Sequence, residues 1–231
     1  PRVGQTIYDP AVGSGGFLIP AYDYMVQQDK TEKELEFLKR ESFFGNEKTG
    51  LAYIMGVMTL ILHGISNPNI IKKNTLTTDV RQIQEKDRFD VILANPPFGG
   101  KEKDTIQQNF PIKSNATEML FLQHIMKYMK VSGKAAIVIP EGVLFNTGNA
   151  FQEIKKIMLE DFNLHSIVSL PAGVFLPYSG VKTNVIFFDR EGSTKDIWFY
   201  EINLDRKLTK NKPLQYSEIE HIPELLKKRE L

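Results

Sequence analysis

"FDVILANPPFGGKEK", residues 89–103, is an apolar run that stops at an asparagine, two adjacent prolines and an aromatic. Five of the six residues from Phe89 to Ala94 are apolar, Asp90 being the exception, which suits a strand covered on both faces in a parallel sheet. Pro96 and Pro97 lack a backbone N–H and hold Asn95 out of helical geometry, so the turn after the strand is stiff. Ligands of open α/β sheets bind beyond the carboxyl ends of the strands, where Asn95 and Phe98 fall. Taken alone, Asn-Pro-Pro is more often ordinary turn punctuation. The rest of the chain has to decide.

Further strand-like runs lie on both sides: "TIYDP" at 6–10, "ESFFGNE" at 41–47, "NIIKKNTL" at 69–76, "GKAAIVIPE" at 133–141, "LHSIVSLP" at 164–171 and "VKTNVIFFD" at 181–189. Helical patterns fall between them at 17–27, 29–40, 51–65, 116–130 and 148–161. Alternating strands and helices predict a doubly wound, mostly parallel α/β sheet. Only "AGVFLPYSG" joins the runs at 164–171 and 181–189, with no helix-length pattern, so an antiparallel last strand is expected there. "KDIWFYEI", 195–202, could add an edge strand, and the Lys-rich tail from Lys207 reads as a solvated extension. The expected organisation is one domain over 1–206 and an extension over 207–231, with no internal repeat.

Composition excludes several classes. A net charge of +1 over 231 residues gives no global attraction to nucleic acid, so any contact must come from a local patch or a partner. Without cysteine there is no disulfide framework or thiolate metal site, which fits a reducing cytoplasm. His63, His124, His165 and His221 are scattered and read as structural or surface residues, so no metal is expected. "LAYIMGVMTLILHGI", 51–65, is shorter than a membrane span and is expected to be a buried helix. No signal peptide opens the chain; the start at Pro1 resembles a cut inside a longer protein.

Three segments carry candidate chemistry. "DPAVGSGGFL", 9–18, passes from a strand end into a helix, and Gly13, Gly15 and Gly16 permit the backbone angles and close approach of a ligand-binding turn. Its spacing is not that of a dinucleotide-binding loop, and Asp9 would repel a pyrophosphate while holding an ammonium group. No phosphate-binding Gly-x-x-x-x-Gly-Lys-Ser/Thr pattern occurs. A purely structural glycine turn is the other reading. Glu47, ending the second strand, can accept from both hydroxyls of a ribose or serve the start of the next helix. Asn74, at the third strand's end, either accepts from an adenine amino group or forms a turn. S-adenosylmethionine matches the order of groups these residues suit: amino group, ribose, adenine.

"DPAVGSGGFL" and "NPPF", with "GKAAIVIPEGVLFN" and "VSLPAGVFLPYSGVKTNVIFFDR", closely resemble the modification subunit, an adenine-N6 DNA methyltransferase, of type I restriction-modification systems. The resemblance covers nearly the whole chain, and the last two blocks are the more specific. It implies a Rossmann-like class I S-adenosylmethionine-dependent methyltransferase, with Asp9, Pro10, Gly13, Ser14, Gly15, Gly16, Phe17, Glu47 and Asn74 on the cofactor. It implies that Asn95 and the Pro96 carbonyl hold adenine N6, with Pro97 stiffening the turn and Phe98 stacking on the flipped ring. It also implies double-stranded DNA, a specificity subunit, a second modification subunit and a restriction (translocase-nuclease) subunit as partners in a bacterial or archaeal cytoplasm. Many relatives carry Asp where Asn74 stands. The family's amino-terminal helical region and carboxyl-terminal docking helices are not in these residues, so a catalytic-domain fragment is expected.

Between Phe98 and the next helix, Lys101, Lys103 and Lys113 are candidate phosphate contacts on a loop ordered by DNA, or else ornaments of a solvated loop. An RNA or protein-glutamine methyltransferase shares "NPPF" but accounts poorly for "PEGVLFN" and "LPAGVFLPYSGVKTN". A non-catalytic assembly module would not need Asn95, Pro96, Pro97 and Phe98 intact.

Overall fold

Strands and helices alternate through the first of two units into which the chain, seen in a computed structural model that describes residues 1–229, divides; this unit is Pro1–Ile137 and the second starts at Val138. Its elements are β1 (Ile7–Asp9), α1 (Leu18–Val26), α2 (Glu32–Arg40), β2 (Phe43–Glu47), α3 (Gly50–Leu62), β3 (Asn69–Lys72), β4 (Phe89–Ala94), α4 (Asp104–Gln107), α5 (Thr117–Tyr128) and β5 (Met129–Pro140), whose last residues pass the division. The strands pair in parallel in the spatial order β3-β2-β1-β4-β5. From β1 the chain works outward to β3, then returns to place β4 on the other flank of β1. Loops leaving β1 and β4 therefore diverge, and such a reversal opens a crevice at the carboxyl ends.

Side chains alternate across β1. Ile7 joins a core with Phe43, Ile70 and Val91 of the neighbouring strands and Leu18, Met25 and Leu60 of α1 and α3. Tyr8 points the other way, onto α5, where its ring stacks on Tyr128 at 5.3 Å between centroids. Between β3 and β4 the chain makes three short 3-10 turns, and Leu76, Val80 and Ile83 from this stretch pack with Phe110, Leu120 and Phe121 as a separate core. Thr31 starts α2 with a reciprocal capping pair to Glu34, which explains why so charged a segment holds a helix.

The second unit holds α6 (Glu141–Phe145), α7 (Asn149–Asp161), β6 (Asn163–Ser169), β7 (Thr183–Asp189), β8 (Trp198–Glu201) and α8 (Ile222–Lys228). With no helix to carry the chain back, β7 runs antiparallel to β6. The edge strand expected from 195–202 also forms and pairs in parallel with β6, so the antiparallel strand is next to last.

Two expectations are corrected. The helix at 51–65 is not buried: α3 sinks Gly56 and Leu60 but leaves Leu51 at 74% and Leu62 at 82% exposed, with Ile54, Met55, Met58 and Ile61 between them on one stripe. Only one side of α3 meets the sheet, and composition cannot say which side of a uniformly apolar helix will. The tail from Lys207 is not wholly solvated either. Leu208 and Ile222 are buried, Ile222 packs with Val168 and Ile202, and Arg206 grips Glu218 through two nitrogens at 2.9 and 2.7 Å. Among the described residues no helix is long and apolar enough to cross a membrane.

Candidate active site

Asp9 ends β1 almost fully buried, and its Oδ1 accepts from the Ala11 N–H at 2.8 Å. Burial pushes this carboxyl up to about 7; the Ala11 hydrogen bond opposes the rise and the nearby Glu47 charge adds to it. The turn that follows passes through left-handed backbone at Gly13 (φ 55°) and Gly15 (φ 91°), where a side chain would be strained. Gly16 has neither positive φ nor a neighbour within 4 Å of a built Cβ, so this third glycine is not sterically required. Ser14 is exposed, and Phe17 flanks the start of α1 without a side-chain cap, leaving that helix's first N–H groups to the turn.

Glu47 joins the turn to β2. Its Oε2 accepts from the Gly13 N–H at 3.0 Å, and its Oε1 accepts from the Thr49 N–H and hydroxyl at 2.7 and 2.8 Å. Burial pulls this carboxyl upward, yet those donors outweigh it and hold the group below its ordinary value. Both readings of Glu47 are thus present: it serves the start of α3 with one oxygen and the glycine turn with the other. Behind them α3 crosses so closely that a Cβ on Gly56 would lie 2.6 Å from the Gly13 carbonyl oxygen.

Asn74 caps the 3-10 turn Thr75–Thr77, its Oδ1 accepting from the Leu76 N–H at 3.2 Å. Asn95 follows β4 half-buried, and its Oδ1 is shielded from solvent with no hydrogen-bond partner. Pro96 is buried and Pro97 exposed. Beyond the half-buried Phe98, the Gly99 N–H donates to Glu118 and the Gly100 carbonyl accepts from the Thr117 N–H at 3.1 Å, so the first turn of α5 anchors the segment. The following loop holds α4 and an isolated bridge between Lys101 and Ala116. Lys101, Lys103 and Lys113 are all exposed on it, outside the cavity.

A cavity of about 390 Å³ brings Pro10, Glu47, Asn74, Asn95 and Pro97 together. Asp9, Gly13, Ser14, Gly15, Gly16, Phe17, Pro96 and Phe98 do not form its wall. Sequence reasoning missed Thr75, Leu76, Glu102, Thr117 and Phe121, which do. Leu76, Pro97 and Phe121 give it apolar surface, and Thr117 Oγ1 is a second buried atom without a partner. Thr117 and Phe121 lie one turn apart on α5, but every residue from Thr117 to Met126 is buried, so no pattern in the sequence singles out this pair. Among the described residues no three His, Asp or Glu groups are placed to hold a metal. Its polar lining comprises two carboxylates, Glu47 and Glu102, two amides, Asn74 and Asn95, and one cation, Lys48.

A model of the N-6 DNA methylase family matches residues 1–230. The chain is 40% identical over 226 residues to the methylase subunit of the type I restriction enzyme EcoEI of Escherichia coli, covering 95% of this chain and 46% of that protein. Among solved structures it is similar to a modification subunit ascribed to a type I restriction enzyme of Vibrio vulnificus YJ016, with 42% identity, a TM-score of 0.95, and coverage of 100% of this chain and 50% of that one. It also matches the EcoKI M protein, with 27% identity, a TM-score of 0.86, and coverage of 97% and 50%. The chain spans about half the length of the relatives it matches.

Proposed function

Because the chain belongs to the N-6 DNA methylase family, we propose that it is the catalytic domain of an adenine-N6 DNA methyltransferase subunit of a type I restriction-modification complex, working on a flipped adenine of duplex DNA with S-adenosylmethionine as methyl donor. The observation that carries this reading is Asn95 Oδ1, a buried acceptor with no partner, held by a Pro-Pro turn in the cavity that also contains Glu47. A buried acceptor left unpaired costs free energy, and an exocyclic amine supplies the missing donor.

When bound, S-adenosylmethionine supplies a methyl group on a sulfonium centre. Glu47, already ionised and oriented, receives the ribose hydroxyls, and Asn74, Leu76, Pro97 and Phe121 enclose the purine. Asp9 in its carboxylate form holds the ammonium beside the Gly13 turn. Asn95 Oδ1 and the Pro96 carbonyl accept the two N–H bonds of the target amine and leave its lone pair directed away from them. Phe98 offers its ring to the base. Positioning of this kind raises rate by fixing the approach of two reactants rather than by removing a proton in advance. Lys101, Lys103 and Lys113 meet the phosphate backbone. A specificity subunit, a second modification subunit and a restriction subunit complete the complex, in the cytoplasm of a bacterium or archaeon.

The test is transfer of a labelled methyl group to adenine-containing duplex DNA, with a specificity subunit and without. Asn95→Ala should lower turnover by about a hundred- to a thousandfold, the range seen when one preorganised polar contact to a reacting group is lost. Normal turnover by that variant removes the proposal.

A further inference from the structure

Beneath the cavity a chain of polar side chains crosses an otherwise apolar layer. Asn46 donates through Nδ2 to the Tyr8 phenol at 2.8 Å, and the phenol lies 3.0 Å from His124 Nε2. Asn46 is 8%, Tyr8 3% and His124 0% exposed, so the three side chains lie out of bulk solvent. The Tyr8 hydroxyl thus joins Asn46 of β2 to His124 of α5. The ring of Tyr8 needs none of this to pack, since it stacks on Phe89 at 4.5 Å and on Tyr128. Phenylalanine would fill the same space. A hydroxyl in such a place is a liability unless its partners are fixed, and here they come from β2 and α5.

Each member stands beside a group of the site. Tyr8 precedes Asp9, and Asn46 precedes Glu47. Asn46 is tied twice, by its side chain to Tyr8 and by its carbonyl to the Val12 N–H at 3.1 Å in the glycine turn. His124 sits on the helix that brings Thr117 and Phe121 to the cavity. Strand alternation puts Tyr8 and Asp9 on opposite faces, so what fixes one aims the other.

We infer that the Tyr8 hydroxyl is a positioning group for cofactor binding: through Asn46 and His124 it locks the ends of β1 and β2 to α5, and so holds Asp9, Glu47 and Phe121 in one geometry. This rests on the reading of the cavity as the S-adenosylmethionine site. Tyr8→Phe keeps the stacking and deletes only the hub. Titration calorimetry of the full-length subunit carrying this domain with S-adenosylmethionine should show the dissociation constant of Tyr8→Phe raised about tenfold, the scale of one well-placed hydrogen bond lost from a buried network. His124→Leu should weaken binding in the same sense. The double variant should be no worse than the weaker single one, because both break the same connection. Ile92→Val, a core substitution that lowers melting temperature without touching the chain of polar groups, should bind as the parent does. Parent-like affinity in Tyr8→Phe, or an equal loss in Ile92→Val, overturns the positioning role while the cofactor site stands. If the parent subunit itself takes up no S-adenosylmethionine, the site reading fails and the inference falls with it.

Discussion

Glu47 and Asn95 border the same cavity and are opposites. Both oxygens of Glu47 already accept hydrogen bonds from Gly13 and Thr49, whereas the side-chain oxygen of Asn95 has none. The first group is oriented by its own protein before any ligand arrives, and the second is left without a partner. The difference separates two tasks. A group that must bind a cofactor at every encounter gains from being fixed by its own protein, whereas a group that must choose a substrate gains from a need only that substrate meets.

The strongest way to break this contrast is Glu47→Ala. It should weaken S-adenosylmethionine binding by roughly 10- to 100-fold and lower folding stability by about 1–2 kcal/mol, since the Gly13 turn loses its anchor. Calorimetry and urea unfolding read the two effects. A variant that binds normally means the carboxylate is only a helix-start contact.

Next comes a pH window in which two buried groups oppose each other. Asp9 is raised to about 7 from 3.8, so the folded chain keeps a proton that the unfolded one has lost, and this contribution to stability fades as pH rises from about 4 to 7. His124 is pushed down by burial from 6.5 to about 3, so its contribution is complete above 6.5 and is lost as pH falls toward 3. Each slope is about 1.4 kcal/mol per pH unit, and between about 4 and 6.5 they cancel. The parent should therefore unfold with little pH dependence there, while Asp9→Asn should gain stability with rising pH. A flat profile in Asp9→Asn denies the opposition. Cofactor affinity in the parent should climb over the same range, because only the carboxylate holds the ammonium.

The smallest effect sharpens the contrast most. Asn95→Ala, impaired in transfer, should unfold no more easily than the parent and up to about 1 kcal/mol less easily, because it deletes an unpaired buried acceptor. A loss of more than 1 kcal/mol would show that Asn95 has a structural partner after all.

Much of the frame was legible because it follows from local pattern. The apolar run Phe89–Ala94 is a strand over those very residues, and the missing helix between β6 and β7 fixed their antiparallel sense. The Gly13 turn and Glu47 could be joined because a parallel sheet brings successive strand ends together. What was not legible needed the third dimension. Thr117 and Phe121 reach the cavity from a helix more than 20 positions beyond Asn95, and nothing in their own neighbourhood marks them. The exposed side of α3 could not be foretold from a helix apolar all round, and Tyr8 reads as plain core until Asn46 and His124 are set beside it.

The crossing of α3 over the glycine turn gives Gly56 an unusual standing toward mutation. In the middle of a helix alanine ordinarily improves on glycine by up to about 1 kcal/mol. Here the added methyl would press on the Gly13 carbonyl, so the gain in helix propensity is spent on displacing the turn that Glu47 holds. The usual ranking of substitutions is thereby inverted at Gly56, which tolerates change as a ligand-binding residue does although it is not part of the cavity wall.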